Sequence, residues 1–161
     1  MIIAIGSNLP GADGATPLEI CERALRAVAS LPGLSGAVRS RWYSSAPVPP
    51  SDQPRYINGC VRMQGDVEPA WLLAALQAIE QEAGRVRGAA NAARTLDLDI
   101  IDMGGLVRGG PDPLLPHPRA HLRGFVLYPL RDVLPGWKHP VTGAALAAMV
   151  SSLGPSDLRP A

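Results

Sequence analysis

Apolar and polar positions alternate along this chain with two periods, and the switches between them mark its elements. Ile2 to Ile5 is an unbroken apolar run closed by Gly6-Ser7-Asn8, which predicts a buried strand entering a turn. Thr16-Pro17-Leu18-Glu19 predicts a helix start, with Thr16 as cap, Pro17 at the first helical position and Glu19 closing a capping box. Leu18, Cys21, Leu25 and Val28 follow at helical spacing, and Pro32-Gly33 ends the run. Leu34 to Tyr43 reads as a strand. Ser44 to Arg55 carries four prolines in twelve residues and must be a stiff loop, because proline removes backbone donors. Tyr56 to Met63 is a strand with Tyr56, Asn58, Cys60 and Arg62 on one face. Glu68 to Ala83 is the clearest helix, with Leu72, Leu76, Ile79 and Ala83 as its apolar stripe and Leu73, Gln77 and Glu80 on an adjacent face.

Thr95 to Ile101 has period two, with Leu96, Leu98 and Ile100 on one side and Asp97, Asp99 and Ile101 on the other. Asp102 then falls on the parity opposite to the paired acids. Gly104-Gly105 predicts a hairpin into Leu106-Val107. Phe125 to Leu130 reads as a strand and Gly143 to Leu153 as a short amphipathic helix. The order strand, helix, strand, strand, helix, strand predicts an α/β (α+β) chain. It would be a single domain over residues 1–161 with a ferredoxin-like βαββαβ core, additional strands and helices, and a mixed or antiparallel sheet flanked by helices.

Composition narrows the class. The chain has 161 residues, 47% of them apolar and 18% charged, which supports a packed core and excludes a disordered polyelectrolyte. A formal net charge of +1 gives no global reason to bind nucleic acid or an anionic membrane. No apolar run approaches the roughly 20 residues that span a bilayer, and the first residues lack a charged secretory head, so a cytoplasmic protein is expected. Cys21 and Cys60 are too few for a disulfide framework and read as buried free thiols. Fourteen arginines stand against one lysine, and seven of the fourteen lie between Arg85 and Arg131.

Candidate chemistry clusters there. Asp97 and Asp99, two apart on a strand, project from one face about 7 Å apart at the backbone, given a rise of roughly 3.3 Å per residue. Carboxylates so close repel unless a cation lies between them, and Mg²⁺ typically takes one or two carboxylates plus substrate phosphates. A solvated polar strand face is the bland alternative. Arg85, Arg87 and Arg94 precede the acids in an eleven-residue run, GRVRGAANAAR, that has no acid of its own. Guanidinium forks match phosphate oxygens, so a nucleotide site is a plausible reading beside that of a basic surface loop. The small residues between Arg87 and Arg94 suit a lid that closes over substrate. No phosphate-cradling P-loop and no strand-linked GxGxxG is present. Tyr56, Asn58 and Phe125 form a second constellation: aromatic rings sandwich flat heterocycles and an amide both donates to and accepts from a heterocycle edge, though core packing explains the rings as well. A metal-dependent phosphohydrolase or nuclease would need a further acid, and a non-enzymatic binding module would use the proline-rich loop as its contact.

Taken in order, AIGSNL at Ala4–Leu9, QPRYIN at Gln53–Asn58, EQEAGRVR and ARTLDLDI between Glu80 and Ile100, LPHPR at Leu115–Arg119 and RGFVLYPL at Arg123–Leu130 resemble the 6-hydroxymethyl-7,8-dihydropterin pyrophosphokinase family. The resemblance implies Mg²⁺-dependent transfer of the β,γ-diphosphate of ATP to the pterin hydroxymethyl group, with release of AMP, in folate biosynthesis. It implies Asp97 and Asp99 as ligands of two Mg²⁺ ions, with Arg85 and Arg94 beside the triphosphate. Arg87, Ile100, His117 and Arg123 would lie around the nucleotide, with Gln77 and Glu80 beside that pocket. Tyr56 and Phe125 would enclose the pterin, and Asn58, Ser45 and Val48 would hold its edge. The expected partners are these two small molecules, bound by a monomer. The chain departs from its relatives at Asn91-Ala92-Ala93, where some carry tryptophan, and at Ser45-Ala46, Pro49, Asp112 and Leu114.

Overall fold

The computed structural model describes residues 1–85, 94–154 and 157–161. Its strands are β1 (Ile2–Ser7), β2 (Leu34–Arg39), β3 (Tyr43–Ser45), β4 (Tyr56–Gly65), β5 (Asp97–Asp102) and β6 (Arg159–Pro160). Its helices are α1 (Pro17–Ala29), α2 (Pro69–Glu82), α3 (Gly124–Val133) and α4 (Leu146–Ser152), with one turn of 3₁₀ helix at Ala120–Leu122. The sheet runs β5-β1-β4-β3-β6, with β2 also on β4, and every pairing is antiparallel. β1-α1-β2 and β4-α2-β5 each leave room for one strand between their strands, and each fills the gap of the other. This is the ferredoxin-like core that the element order predicts.

Alternation along β1, β4 and β5 sends their buried side chains to one of two cores. Ile3, Ile5, Val61, Met63, Leu98 and Ile100 meet Ile20, Cys21, Ala24 and Val28 of α1 and Leu72 and Leu76 of α2. Ile2, Cys60 and Ile101 meet Val126, Leu127, Leu130 and Val133 of α3 and Leu146 and Met149 of α4. The α1 cap forms as the sequence predicts: the Glu19 N–H donates to Thr16 Oγ1, and the Thr16 N–H donates to Glu19 Oε2 at 2.8 Å. The buried stripe of α1 is rotated from the expected one, however, and Leu18 is exposed. Cys21 and Cys60 are free and buried, and burial pushes the Cys21 thiol up to about 12, with the Glu22 charge adding to it.

Three expectations are corrected. Phe125–Leu130 is not a strand but the front of α3. Its six-residue apolar run fits either period, and only the continuation to Val133 completes the helical stripe Val126, Leu130, Val133. Leu34–Tyr43 is two strands, because at residue 40 the side chain takes over the ladder: Ser40 Oγ accepts the Cys60 N–H at 2.9 Å. Finally, Gly104 and Gly105 do turn the chain with positive φ, but Leu106 and Val107 form no strand and are exposed.

Candidate active site

The ends of β3, β4 and β5 converge with the front of α3 around a cavity of about 450 Å³. Ten of the residues singled out in the sequence line it: Ser45, Val48, Tyr56, Asn58, Arg94, Asp97, Asp99, His117, Arg123 and Phe125. Strand parity is the reason. Tyr56 and Asn58 open β4, Asp97 and Asp99 open β5, and both pairs face the α3 side. Phe125 arrives from the first turn of α3, with the Arg123 guanidinium carbon 5.4 Å from its ring centroid. Val48 is 70% exposed, so the proline-rich loop forms an open rim.

Two charge clusters divide the polar wall. Asp97 Oδ1 accepts from Arg85 Nη1 at 2.7 Å, and Asp97 Oδ2 pairs with Arg94 Nη1 at 2.7 Å. Behind Asp97, the buried Glu80 pairs with Arg85, and its Oε1 also accepts the Leu98 N–H at 2.7 Å. Burial holds the Glu80 carboxyl above its usual range, against the opposing pull of the Leu98 amide and Arg85. Asp99 Oδ2 lies 3.7 Å from His117 Nε2 and 3.9 Å from Arg123 Nη1. Burial, and then the charge of Asp97, push the Asp99 carboxyl upward; burial pushes His117 downward. His117 Nδ1 accepts the Arg119 N–H at 3.1 Å, which aims Nε2 at Asp99.

The remaining expected residues lie elsewhere. Arg85 stands one layer behind the cavity, with Glu80. Ile100 is buried against α1 and α2, so its side chain faces away from the cavity. Gln77 is half-buried on α2 and outside the lining. Arg87 and the lid expected between Arg87 and Arg94 lie outside the described residues. Asp102 also departs from its expected parity: a bulge at Ile101 turns it to the α3 side, where it accepts from Trp137 Nε1 at 3.3 Å and from the Gly105 N–H at 3.0 Å. It thus serves the fold and not the acid pair.

Sequence reasoning undervalued two residues. Asn8, read as part of a simple turn, is buried, and its Oδ1 accepts the Arg94 N–H at 2.8 Å. Its Nδ2 donates to Gln53 Oε1 and Pro54 O, both at 3.2 Å, which ties the Arg94 backbone to the proline-rich loop. Arg119 lines the cavity although it was read only as part of a motif. The partners of Asn8 are distant in sequence, and only the GSN and LPHPR motifs themselves signal these two residues.

Residues 2–135 match the family model for 7,8-dihydro-6-hydroxymethylpterin-pyrophosphokinase (HPPK). The chain belongs to the HPPK family. A Pseudomonas aeruginosa 2-amino-4-hydroxy-6-hydroxymethyldihydropteridine pyrophosphokinase is 43% identical over 138 residues, covering 86% of this chain and 82% of the relative. A Haemophilus influenzae protein of the same name is 39% identical, covering 81% of this chain and 79% of the relative. Among solved structures, a Plasmodium falciparum HPPK-DHPS superposes with a TM-score of 0.68 at 13% identity, over 93% of this chain and 43% of that one. That likeness shows the fold, and the chain spans about two-fifths of such structures. Membership places the chain among the pyrophosphokinases of folate biosynthesis, which are diphosphotransferase enzymes using ATP. Among the described residues, no helix is long and apolar enough to cross a membrane.

Proposed function

We propose that this protein transfers the β,γ-diphosphate of ATP to the hydroxymethyl oxygen of 6-hydroxymethyl-7,8-dihydropterin. The pterin oxygen bonds to the β-phosphorus, and the bond from that phosphorus to the oxygen bridging α and β breaks. AMP leaves with the bridging oxygen, and the hydroxyl proton passes to solvent. The observation that carries this reading is one cavity bearing an acid pair, guanidinium groups and a flat aromatic-and-amide wall together.

The donor set suits magnesium. Asp97 and Asp99 offer hard carboxylate oxygens from one strand face, and Asp99 is pushed upward by burial and by Asp97, a burden that a divalent cation would lift. When bound with ATP, two Mg²⁺ ions would supply charge neutralisation on the phosphate oxygens. Arg94, Arg119 and Arg123 supply fixed positive charge for the polyphosphate, and His117 a donor beside Asp99. Arg85 holds Asp97 in place. Tyr56 and Phe125 would take the faces of the pterin ring. Asn58, whose Nδ2 donates to Ser45 Oγ at 2.9 Å, is locked with its amide at the ring's edge. Catalysis then rests on positioning and charge stabilisation. Residues 1–161 would act as one catalytic domain, in a monomer. Neither nucleic acid nor a membrane is needed as partner, and the cytoplasm suits both substrates.

The test is product analysis of the purified protein with ATP, Mg²⁺ and the hydroxymethylpterin. AMP and pterin diphosphate should appear in equal amounts. ADP or free phosphate in place of AMP would overturn the reading.

A further inference from the structure

The proline-rich loop that rims the cavity is held at both ends by one side chain from far along the chain. Asp157 Oδ2 accepts the Ala46 N–H at 3.0 Å, with Oδ1 at 3.3 Å, where the loop leaves β3. The same Oδ2 accepts from Arg55 Nη1 at 2.6 Å, where the loop re-enters β4. Arg55 closes the ring: its Nε donates to Ser44 Oγ at 2.9 Å, and its Nη2 to Ser44 O at 3.2 Å and to Asp157 O at 3.1 Å. The backbone beyond Asp157 is anchored too. β6 pairs with β3, and the Ala161 N–H donates to Trp42 O at 3.0 Å. Ser45 just before the clamp, Ala46 at it, and Pro47, Val48 and Pro49 beyond it line the cavity. Asp157 lies beyond the residues 2–135 that the family model matches.

We propose that Asp157 is a positioning residue for the pterin side of the site. Its carboxylate staples the two ends of the 46–55 loop, and so fixes Ser45 and the loop wall before substrate arrives. This rests on the reading that the pterin lies against Ser45, Tyr56, Asn58 and Phe125. A closed loop of ten residues has many conformations, and pinning both termini to one anchor removes most of them in the free protein. Among the described residues the staple itself touches no group assigned to ATP, and the loop reaches the Arg94 backbone only through Asn8, so the larger effect falls on the pterin. A tail that merely covered the sheet edge would not produce that asymmetry.

The experiment compares wild type, Asp157→Ala and Asp157→Glu in steady-state kinetics, with hydrogen exchange at the Ala46 amide. Asp157→Ala should raise the KM for the hydroxymethylpterin roughly three- to ten-fold, leave the KM for ATP and kcat within about two-fold, and speed exchange at Ala46. Asp157→Glu, which keeps the charge, should recover much of the pterin KM. An unchanged pterin KM despite faster exchange would overturn the proposal, as would equal rises for both substrates. Wild-type protein that made no AMP from the pterin would instead overturn the functional reading on which the proposal stands.

Discussion

At the scale of single residues, Glu80 shows how an acid can shape the site without lining it. It is 5% exposed, yet it accepts the Leu98 amide and pairs with Arg85, which in turn holds Asp97. Glu80→Ala would leave a half-buried guanidinium with one partner fewer and a strand N–H with none. The expected cost is about 3 kcal/mol of stability, read by urea unfolding. Glu80→Gln keeps an oxygen for Leu98 and should recover the larger part. A loss under about 1 kcal/mol for the alanine variant would show that water replaces the carboxylate. The sequence made the chemistry-bearing residues legible here because they lie on strands, where period two alone puts Asp97 with Asp99 and Tyr56 with Asn58. The indirect roles of Glu80 and Asn8 were not legible. Their partners are backbone amides brought near by tertiary folding, and the bulge that turns Asp102 across the sheet has no local signal.

At the scale of elements, the site depends on β4 remaining flat against the segment between β2 and β3. Gly59 is the contact point: a Cβ there would lie 2.4 Å from Trp42 Cζ3 and 2.5 Å from Cε3. The indole cannot swing aside freely, because its Nε1 donates to Glu22 Oε1 at 2.6 Å. Gly59→Ala should therefore destabilise by about 1–3 kcal/mol, as overpacking does, and lower the thermal midpoint. Pterin affinity should fall with it, since Asn58 is the neighbouring residue. A variant as stable as wild type would mean that the ring relocates at no cost. The helices with strong caps and stops were legible, α1 from its capping box and α2 from its four-turn stripe. α3 was not, because Phe125–Leu130 is apolar throughout and Pro129 lies within it, a combination in which neither period stands out.

At the scale of the whole molecule, α3 carries Phe125 into the site and must be docked against a sheet formed from distant segments. Beyond its buried stripe, Asp132 fastens it. Its Oδ2 accepts the Tyr43 hydroxyl at 2.8 Å, the Arg41 N–H at 3.1 Å and Arg41 Nε at 3.2 Å, while Oδ1 accepts Arg41 Nη2 at 3.0 Å. Burial pushes the Asp132 carboxyl upward, but the hydrogen bonds from Arg41 and Tyr43 outweigh it and hold the group below its ordinary value. The sign follows directly. A carboxyl depressed in the folded state contributes stability that is complete above its unfolded pKa of about 3.9 and is lost as pH falls through the folded value. Asp13 and Asp157 are depressed as well, by Arg23 and Arg55 respectively, but both lie in solvent, where screening leaves little net effect. Asp132 should therefore dominate the acid limb. Thermal unfolding at pH 7, 5, 4 and 3 should show Asp132→Asn less stable than wild type at the two higher values. The gap should start to shrink as pH falls below about 4, where the unfolded carboxyl takes up its proton, and close only below the depressed folded value, where the wild-type carboxyl is itself protonated. A gap of constant size across the series would mean that Asp132 fastens α3 through shape and not charge.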